Sequence, residues 1–122
     1  MTLRSGENPC NVLIVEDDDG ARTALGDIFD VEGFRVACSA NGQEALDYLR
    51  KSPPPDVIIL DLQMPVMDGW QFRREQKKDQ RLAKVPVVVV TAFSAPQNID
   101  AAAILQKPLD VDELLGVVRQ HC

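Results

Sequence analysis

The stretch VLIVEDDDG, residues 12–20, poses the question that decides the fold. Four apolar residues run without interruption into four acids, Glu16, Asp17, Asp18 and Asp19. A short, continuously apolar run is typical of a strand buried on both faces of a sheet. Neighbouring carboxylates repel one another unless a cation relieves them, and acids are favoured at a helix N-terminus. We therefore expect the acids after this strand to open a helix, to hold a metal ion, or both.

The same pattern of strand and helix recurs along the chain. Further apolar strands are predicted at residues 34–38, 57–60, 87–90 and 104–105, and helices at residues 21–29, 43–51 and 70–82 and after Asp110. Asp18 or Asp19 is expected to cap the first helix, and Asp110 with Glu113 forms a capping box for the last. Strands that are apolar throughout, alternating with helices, predict a parallel sheet covered by helices on both sides.

Length, composition and charge restrict the class of protein. The 122 residues fit one domain, and a hydrophobic content of 45% is enough for one core. The net charge of −6 argues against binding of nucleic acid through this domain. We find no signal-peptide pattern and no run of membrane-spanning length, so we expect a soluble, cytoplasmic protein without a membrane partner. Residues 1–9 are expected to form a flexible N-terminal tail and residues 10–122 the folded domain.

The three cysteines give no sign of a cross-linked or zinc-binding protein. Cys10, Cys38 and Cys122 are odd in number, far apart, and lack the spacing of a metal motif. We expect free thiols in a reducing compartment, with neither a disulfide framework nor a zinc site.

Polar residues follow four of the predicted strands. Glu16 and Asp17 follow the first strand, Asp61 the third, Thr91 the fourth and Lys107 the fifth. Because the carboxyl ends of parallel strands share one edge of a sheet, these five side chains are expected to meet there.

The chemistry of that set suggests phosphoryl transfer. Clustered carboxylates suit a hard divalent cation, and Mg²⁺ takes one or two carboxylates together with waters and phosphate oxygens. A lysine and a hydroxyl beside the ion would complete a cradle for a phosphoryl group. A carboxylate next to the metal could then attack phosphorus and form an acyl phosphate.

Four ordered motifs then resemble the receiver domains of two-component response regulators. They are VEDD at residues 15–18, LDLQMPVMDGW at residues 60–70, VVVVTA at residues 87–92 and LQKP at residues 105–108. The resemblance covers residues 11–120. It implies a flavodoxin-like doubly wound sheet of five parallel strands in the order 2-1-3-4-5.

The resemblance also implies roles for individual residues. Asp61 would accept a phosphoryl group from a histidine kinase or a phosphotransfer protein. Asp17 would bind Mg²⁺ directly and Glu16 mostly through water, with Asp61 and the backbone carbonyl of Gln63 as further ligands. Lys107 would pair with Asp61 and then with the phosphoryl oxygens. The small Ala92 would leave room for the phosphoryl group to approach, and the Thr91 hydroxyl would move toward that group. This movement would present an active surface to a downstream protein, which the sequence does not identify.

The segment between Thr91 and Lys107 departs from the pattern of the family. It is shorter than usual and contains Pro96, so we expect the fourth helix of the family to be short or absent and replaced by a loop through residues 94–100. Ile104 stands where the family commonly places Tyr or Phe. We therefore expect an atypical output face.

Two other functions compete with the phosphorylation switch. A pseudo-receiver, an interaction module that is not phosphorylated, would keep the fold and the acids but lose the switching. A Mg²⁺-dependent phosphatase would need a second acid near Asp61 as proton donor, and Gln63 is not one. We expect the chain not to be an enzyme.

Overall fold

The computed structural model describes residues 9–92 and 99–122, and it confirms the alternation of strands and helices. The strands are β1 Asn11–Val15, β2 Arg35–Ser39, β3 Val57–Asp61, β4 Val87–Thr91 and β5 Ala103–Gln106. The helices are α1 Asp19–Val31, α2 Gly42–Lys51, α3 Gly69–Lys77, α4 Gln80–Ala83 and α5 Val111–Arg119. All strand pairs are parallel, and the sheet has the predicted order β2-β1-β3-β4-β5. The predicted tail falls almost wholly on residues 1–8, which lie outside the described part.

The core has two layers, one on each face of the sheet. Leu13 and Val15 of β1 pack with residues of α2, α3 and α4, such as Phe72. Val12 and Ile14 of the same strand pack on the opposite face with residues of α1 and α5. Because successive side chains of a strand point to opposite faces, an unbroken apolar run is what two-sided burial requires.

Each helix that the structure describes follows an Asp or Asn whose side chain accepts a hydrogen bond from the backbone of the first turn. Asp18 accepts from Ala21 N at 2.7 Å, which decides between the two candidate caps of α1. Asn41, Asp68 and Asp110 do the same for α2, α3 and α5. Each cap satisfies a backbone donor that the helix itself leaves unpaired.

The prediction of a single helix over residues 70–82 is wrong, since the segment forms two helices. Asp79 lies between them and caps α4 by accepting from Arg81 N at 2.9 Å. The fully buried Gln76 stabilises the break, because its amide donates to the carbonyls of Leu82 at 2.9 Å and Val85 at 3.1 Å. These carbonyls belong to a turn that a continuous helix would not make.

The expectation of free thiols is wrong for two of the three cysteines. Cys10 and Cys122 form a disulfide bond, with their Cα atoms 5.3 Å apart. Cys10 directly precedes β1, and Cys122 follows α5. Helix α5 packs against the side chains of Val12 and Ile14 on one face of β1. The fold thus joins two positions 112 residues apart, a proximity that spacing along the chain does not encode. Cys38 is free and exposed.

The connection from β4 to β5 is attached to α3. Arg73 Nε donates to the carbonyl of Asp100 at 2.9 Å, and Lys77 Nζ lies 2.7 Å from its carboxylate. The described residues of this connection, Ala92 and residues 99–102, are not helical, whereas most of the loop predicted at residues 94–100 lies outside the described residues. Ile104 on β5 is 43% exposed.

Candidate functional site

The polar residues singled out in the sequence lie at the carboxyl edge of the sheet. Glu16, Asp61 and Thr91 are buried there, with relative exposures of 2%, 4% and 1%. Each either ends an apolar strand or directly follows one, and the register places Asp61 beside Val90, the residue before Thr91. The polar groups thus lie where the buried apolar strands end, as the alternation of strands and helices predicts.

Three carboxylates converge at this edge, with one ammonium group between two of them. Ligand oxygens of Glu16, Asp17 and Asp61 all lie within 4.8 Å of one another. Lys107 Nζ lies 3.1 Å from Glu16 Oε1 and 3.3 Å from Asp61 Oδ2. Three carboxylates against one ammonium leave an excess of negative charge when all are ionised. A cation is the group this edge can accept.

The pKa shifts at the site follow from this crowding. Burial raises the pKa of Glu16, and the hydrogen bond and charge of Asp61 add to it against the opposing effect of Lys107. The pKa of Asp17 is also raised, first by partial desolvation and then by Glu16. Burial alone would lower the pKa of Lys107, but its hydrogen bond to Glu16 and the charge of Asp61 outweigh burial and raise it.

The turn after Asp61 is packed so closely that it requires glycine. Gln63 N donates to Asp61 Oδ1 at 3.2 Å, so the backbone folds back onto the carboxylate. A Cβ on Gly69 would stand 2.8 Å from Leu62 Cα and 2.9 Å from the carbonyl oxygen of Asp61. One on Gly42 would likewise meet the Met67 backbone oxygen at 2.9 Å. No side chain at Gly69 or Gly42 could be added without displacing the loop that holds Asp61.

Thr91 and Lys107 are linked through their backbones. Lys107 N donates to the carbonyl oxygen of Thr91 at 2.8 Å, which joins the ends of β4 and β5. Ala92 follows directly and is exposed. The peptide bond between Lys107 and Pro108 is cis. The structure therefore brings the side chains of Glu16, Asp17, Asp61 and Lys107 together and fixes the backbone of Thr91 against that of Lys107. The functional roles of all seven candidate residues, Gln63 and Ala92 included, stay predictions.

One residue at the site escaped the sequence analysis. Arg22 on α1 donates through Nη1 to the backbone oxygens of Glu16 at 2.9 Å and Asp17 at 3.3 Å. Its Nη2 pairs with the carboxylate of Asp19. The spacing of Asp19 and Arg22, three residues apart on one helix, was the available signal, but it predicts only a surface ion pair.

The donor set fits Mg²⁺. All three converging groups are carboxylates, and hard oxygen ligands of this kind are those that Mg²⁺ prefers over softer metals. Glu16 and Asp61 are held in place by burial and by Lys107, whereas Asp17 is exposed at the mouth of the site. The arrangement leaves one side open, which suits an ion that keeps several of its waters.

A doubly wound parallel sheet with an acidic cluster at its carboxyl edge defines a class of flavodoxin-like domains that place a site at that edge. Comparison with known proteins narrows the class further. The chain matches the family described as "Response regulator receiver domain" over residues 12–119, and it therefore belongs to that family.

Individual relatives agree with this assignment. The chain is 36% identical to Response regulator Rre1 of Synechocystis sp., over 91% of this chain and 51% of that protein, so it spans about half the length of this relative. It is 31% identical to Sporulation initiation phosphotransferase F of Bacillus subtilis, over 90% of this chain and 91% of that one. The structure of response regulator protein TrrA from Thermotoga maritima, in complex with Mg²⁺ and BeF, superimposes with a TM-score of 0.82 at 26% identity, covering 93% and 99% of the two chains.

The chain is thus a receiver domain of two-component signalling. Within residues 9–92 and 99–122, none of the helices combines the length and apolar character needed to cross a membrane.

Proposed function

We propose that this domain is a phosphorylation switch in which Asp61 accepts a phosphoryl group from a histidine kinase or a phosphotransfer protein in the presence of Mg²⁺. The observation that carries the proposal is the position of Lys107, whose ammonium group bridges Glu16 and Asp61 at 3.1 and 3.3 Å. An ammonium group that already contacts Asp61 is placed to neutralise the oxygens of an incoming phosphoryl group, which supports transfer to this carboxylate.

The transfer itself is a displacement at phosphorus. An oxygen of the Asp61 carboxylate attacks, the bond between phosphorus and the donor's histidine nitrogen breaks, and the nitrogen keeps the electron pair. Mg²⁺, held by Glu16, Asp17 and Asp61, would supply positive charge against the phosphoryl oxygens. Lys107 is placed to exchange its contact with Asp61 for one with those oxygens, because it already donates to this side chain.

Thr91 is the residue that would report the phosphorylated state. It is buried at the end of β4, and its backbone is tied to Lys107. A new anion beside Asp61 would attract the Thr91 hydroxyl, and this movement would bias the following connection toward a second arrangement. A downstream protein that distinguishes the two arrangements would then receive the signal.

Intact-mass measurement tests the proposal directly. Incubation with MgCl₂ and phosphoramidate should add one phosphoryl group to the wild-type chain and none to Asp61→Asn. Asp27→Asn changes an exposed aspartate of α1 in the same way and should still be phosphorylated. An adduct that persists in Asp61→Asn would show that another residue is the acceptor.

A second function, an interaction module that is not phosphorylated, is favoured by the face next to β5. The described residues 99–102 are not helical and Ile104, which stands where the family commonly places Tyr or Phe, is 43% exposed; both observations support an atypical output face. Failure of any phosphodonor to modify the folded wild-type chain would favour this second function. Turnover of added phosphoesters would instead indicate a phosphatase.

A further inference from the structure

Arg22 occupies an unusual place beside the acidic cluster, because it binds the backbone of the acidic segment as well as a side chain. Its guanidinium donates to the carbonyl oxygens of Glu16 at 2.9 Å and Asp17 at 3.3 Å, and it also pairs with Asp19. The side chain is only 21% exposed. The acidic segment is therefore wrapped around a cation that belongs to the first turns of α1.

The three carboxylates among the candidate ligands differ in what holds them in place. Glu16 and Asp61 are buried and both accept from Lys107. Asp17 is exposed, so packing does not fix the direction of its side chain. Its peptide plane is instead oriented by the bond from Arg22 to its carbonyl oxygen. The carbonyls of Glu16 and Asp17 flank the Asp17 Cα on its two sides. Because Arg22 holds both of them, it restricts the direction of the Asp17 Cα–Cβ bond.

We infer that Arg22 is a positioning residue for the divalent cation: by holding the backbone of Glu16 and Asp17, it makes their carboxylates converge on Asp61. This inference rests on the proposed function of the site. A planar guanidinium can serve two carbonyls and a carboxylate at once, whereas a lysine ammonium acts as a point charge on a flexible stem. Outer partners that orient ligands in this way typically change metal affinity by about 10–100-fold when they are lost.

The charge of Arg22 and its proposed positioning of the ligands predict opposite changes in Mg²⁺ affinity when Arg22 is replaced, so the two effects can be distinguished. A positive guanidinium close to the site repels Mg²⁺, so its charge alone weakens binding. Replacement by a neutral residue would then tighten binding if charge were its only effect. If Arg22 positions the ligands, the same replacement weakens binding despite the relief of repulsion.

Calorimetric titration with MgCl₂ distinguishes the two effects. We expect both Arg22→Gln and Arg22→Lys to bind Mg²⁺ about tenfold more weakly than the wild type. Arg22→Lys keeps the charge and most of the packing, so it carries the test if Arg22→Gln does not fold. The matched control is Arg50→Gln on α2, which removes an exposed arginine 3.9 Å from Asp47 and should leave the affinity unchanged. Equal or tighter binding by folded Arg22→Gln, or unchanged binding by Arg22→Lys, would overturn the inference.

Phosphorylation by phosphoramidate at increasing MgCl₂ gives a second readout. The Arg22 variants should need about tenfold more Mg²⁺ for half of the maximal rate and should approach the wild-type rate at saturation. A lowered maximal rate with unchanged Mg²⁺ dependence would place the effect of Arg22 in the chemical step and contradict positioning. Wild-type protein that binds no Mg²⁺ would overturn the proposed function together with this inference, whereas equal binding by all variants overturns the inference alone.

Discussion

Removal of the bond between Cys10 and Cys122 should cost this domain a large part of its stability. A cross-link stabilises mainly by restricting the unfolded chain, and the effect grows with the length of the closed loop. Here the bond joins residues 112 apart and encloses nearly the whole domain. For a loop of this length the chain-entropy relation gives about 4.8 kcal/mol at 25 °C, close to the upper end of what disulfides contribute.

The perturbation is the double variant Cys10→Ser/Cys122→Ser, and the assay is urea unfolding followed by circular dichroism. We expect a loss of about 3–5 kcal/mol in the free energy of unfolding, against a total of about 5–15 kcal/mol for ordinary domains. The m-value should rise as well, because the unfolded chain without the cross-link exposes more surface. Dithiothreitol should lower the stability of the wild type to that of the double variant and should not affect the variant itself.

Cys38→Ser is the matched control, since Cys38 is the free cysteine and its replacement leaves the bond intact. It should unfold like the wild type without reductant. Titration with a thiol reagent should find one reactive thiol in the unreduced wild-type chain. A loss below about 1 kcal/mol in the double variant, with the bond demonstrably present in the wild type, would refute the argument from loop closure.

Four further predictions follow from the packing and the charges of the site and of the helices next to it. Gly69→Ala should destabilise the domain by about 1–3 kcal/mol in thermal unfolding because its Cβ would meet two backbone atoms within 2.9 Å, whereas Gly116→Ala, with nothing within 4 Å of its Cβ, should stabilise α5 by about 0.5–1 kcal/mol. Gln76→Leu should cost about 1–3 kcal/mol in urea unfolding, since the buried Val85 carbonyl loses the amide as its donor, whereas the Leu82 carbonyl keeps its bond from Val85 N. A neutral result would show that water replaces the amide. Because the pKa of Glu16 is raised in the folded state, the unfolded chain loses this proton at lower pH, and the free energy of unfolding falls as pH rises from 4.5 through the folded pKa. Metal-free Glu16→Gln should therefore be more stable than the metal-free wild type at pH 7 and lose this advantage below pH 4.5. The raised pKa of Lys107 acts at alkaline pH: its contribution to the free energy of unfolding is complete below pH 10.5 and is lost as pH rises through the folded pKa. Unfolding of Lys107→Met over an alkaline pH series should not show this loss.

The sheet could be predicted because its signal is local and strong. Strands β1, β3 and β4 are short apolar runs that end at or next to a polar residue, and only a strand buried on both faces makes such a run stable. The parallel arrangement then gathers the ends of the strands at one edge. For this reason the convergence of Glu16, Asp17, Asp61 and Lys107 was predictable from residues far apart in the chain.

The features that were missed depend on contacts between distant or competing partners. The break between α3 and α4 depends on Gln76 reaching carbonyls six and nine residues ahead, which helical periodicity does not reveal. The disulfide depends on the meeting of Cys10 and Cys122 across the folded domain. The role of Arg22 depends on the path of the backbone around its guanidinium. In each case a side chain bonds to a group that the pattern of residue types does not identify.

The attachment of Asp100 to α3 has a consequence for engineering. The chain is fixed on one side by the bond from Lys107 N to the Thr91 carbonyl, and on the other by Arg73 and Lys77 at Asp100. Because β5 begins at Ala103, three residues after Asp100, this attachment ties the entry of β5 to α3. Redesign of the exposed face of α3 should therefore leave Arg73 and Lys77 unchanged, since both hold the segment that leads into the strand before Lys107.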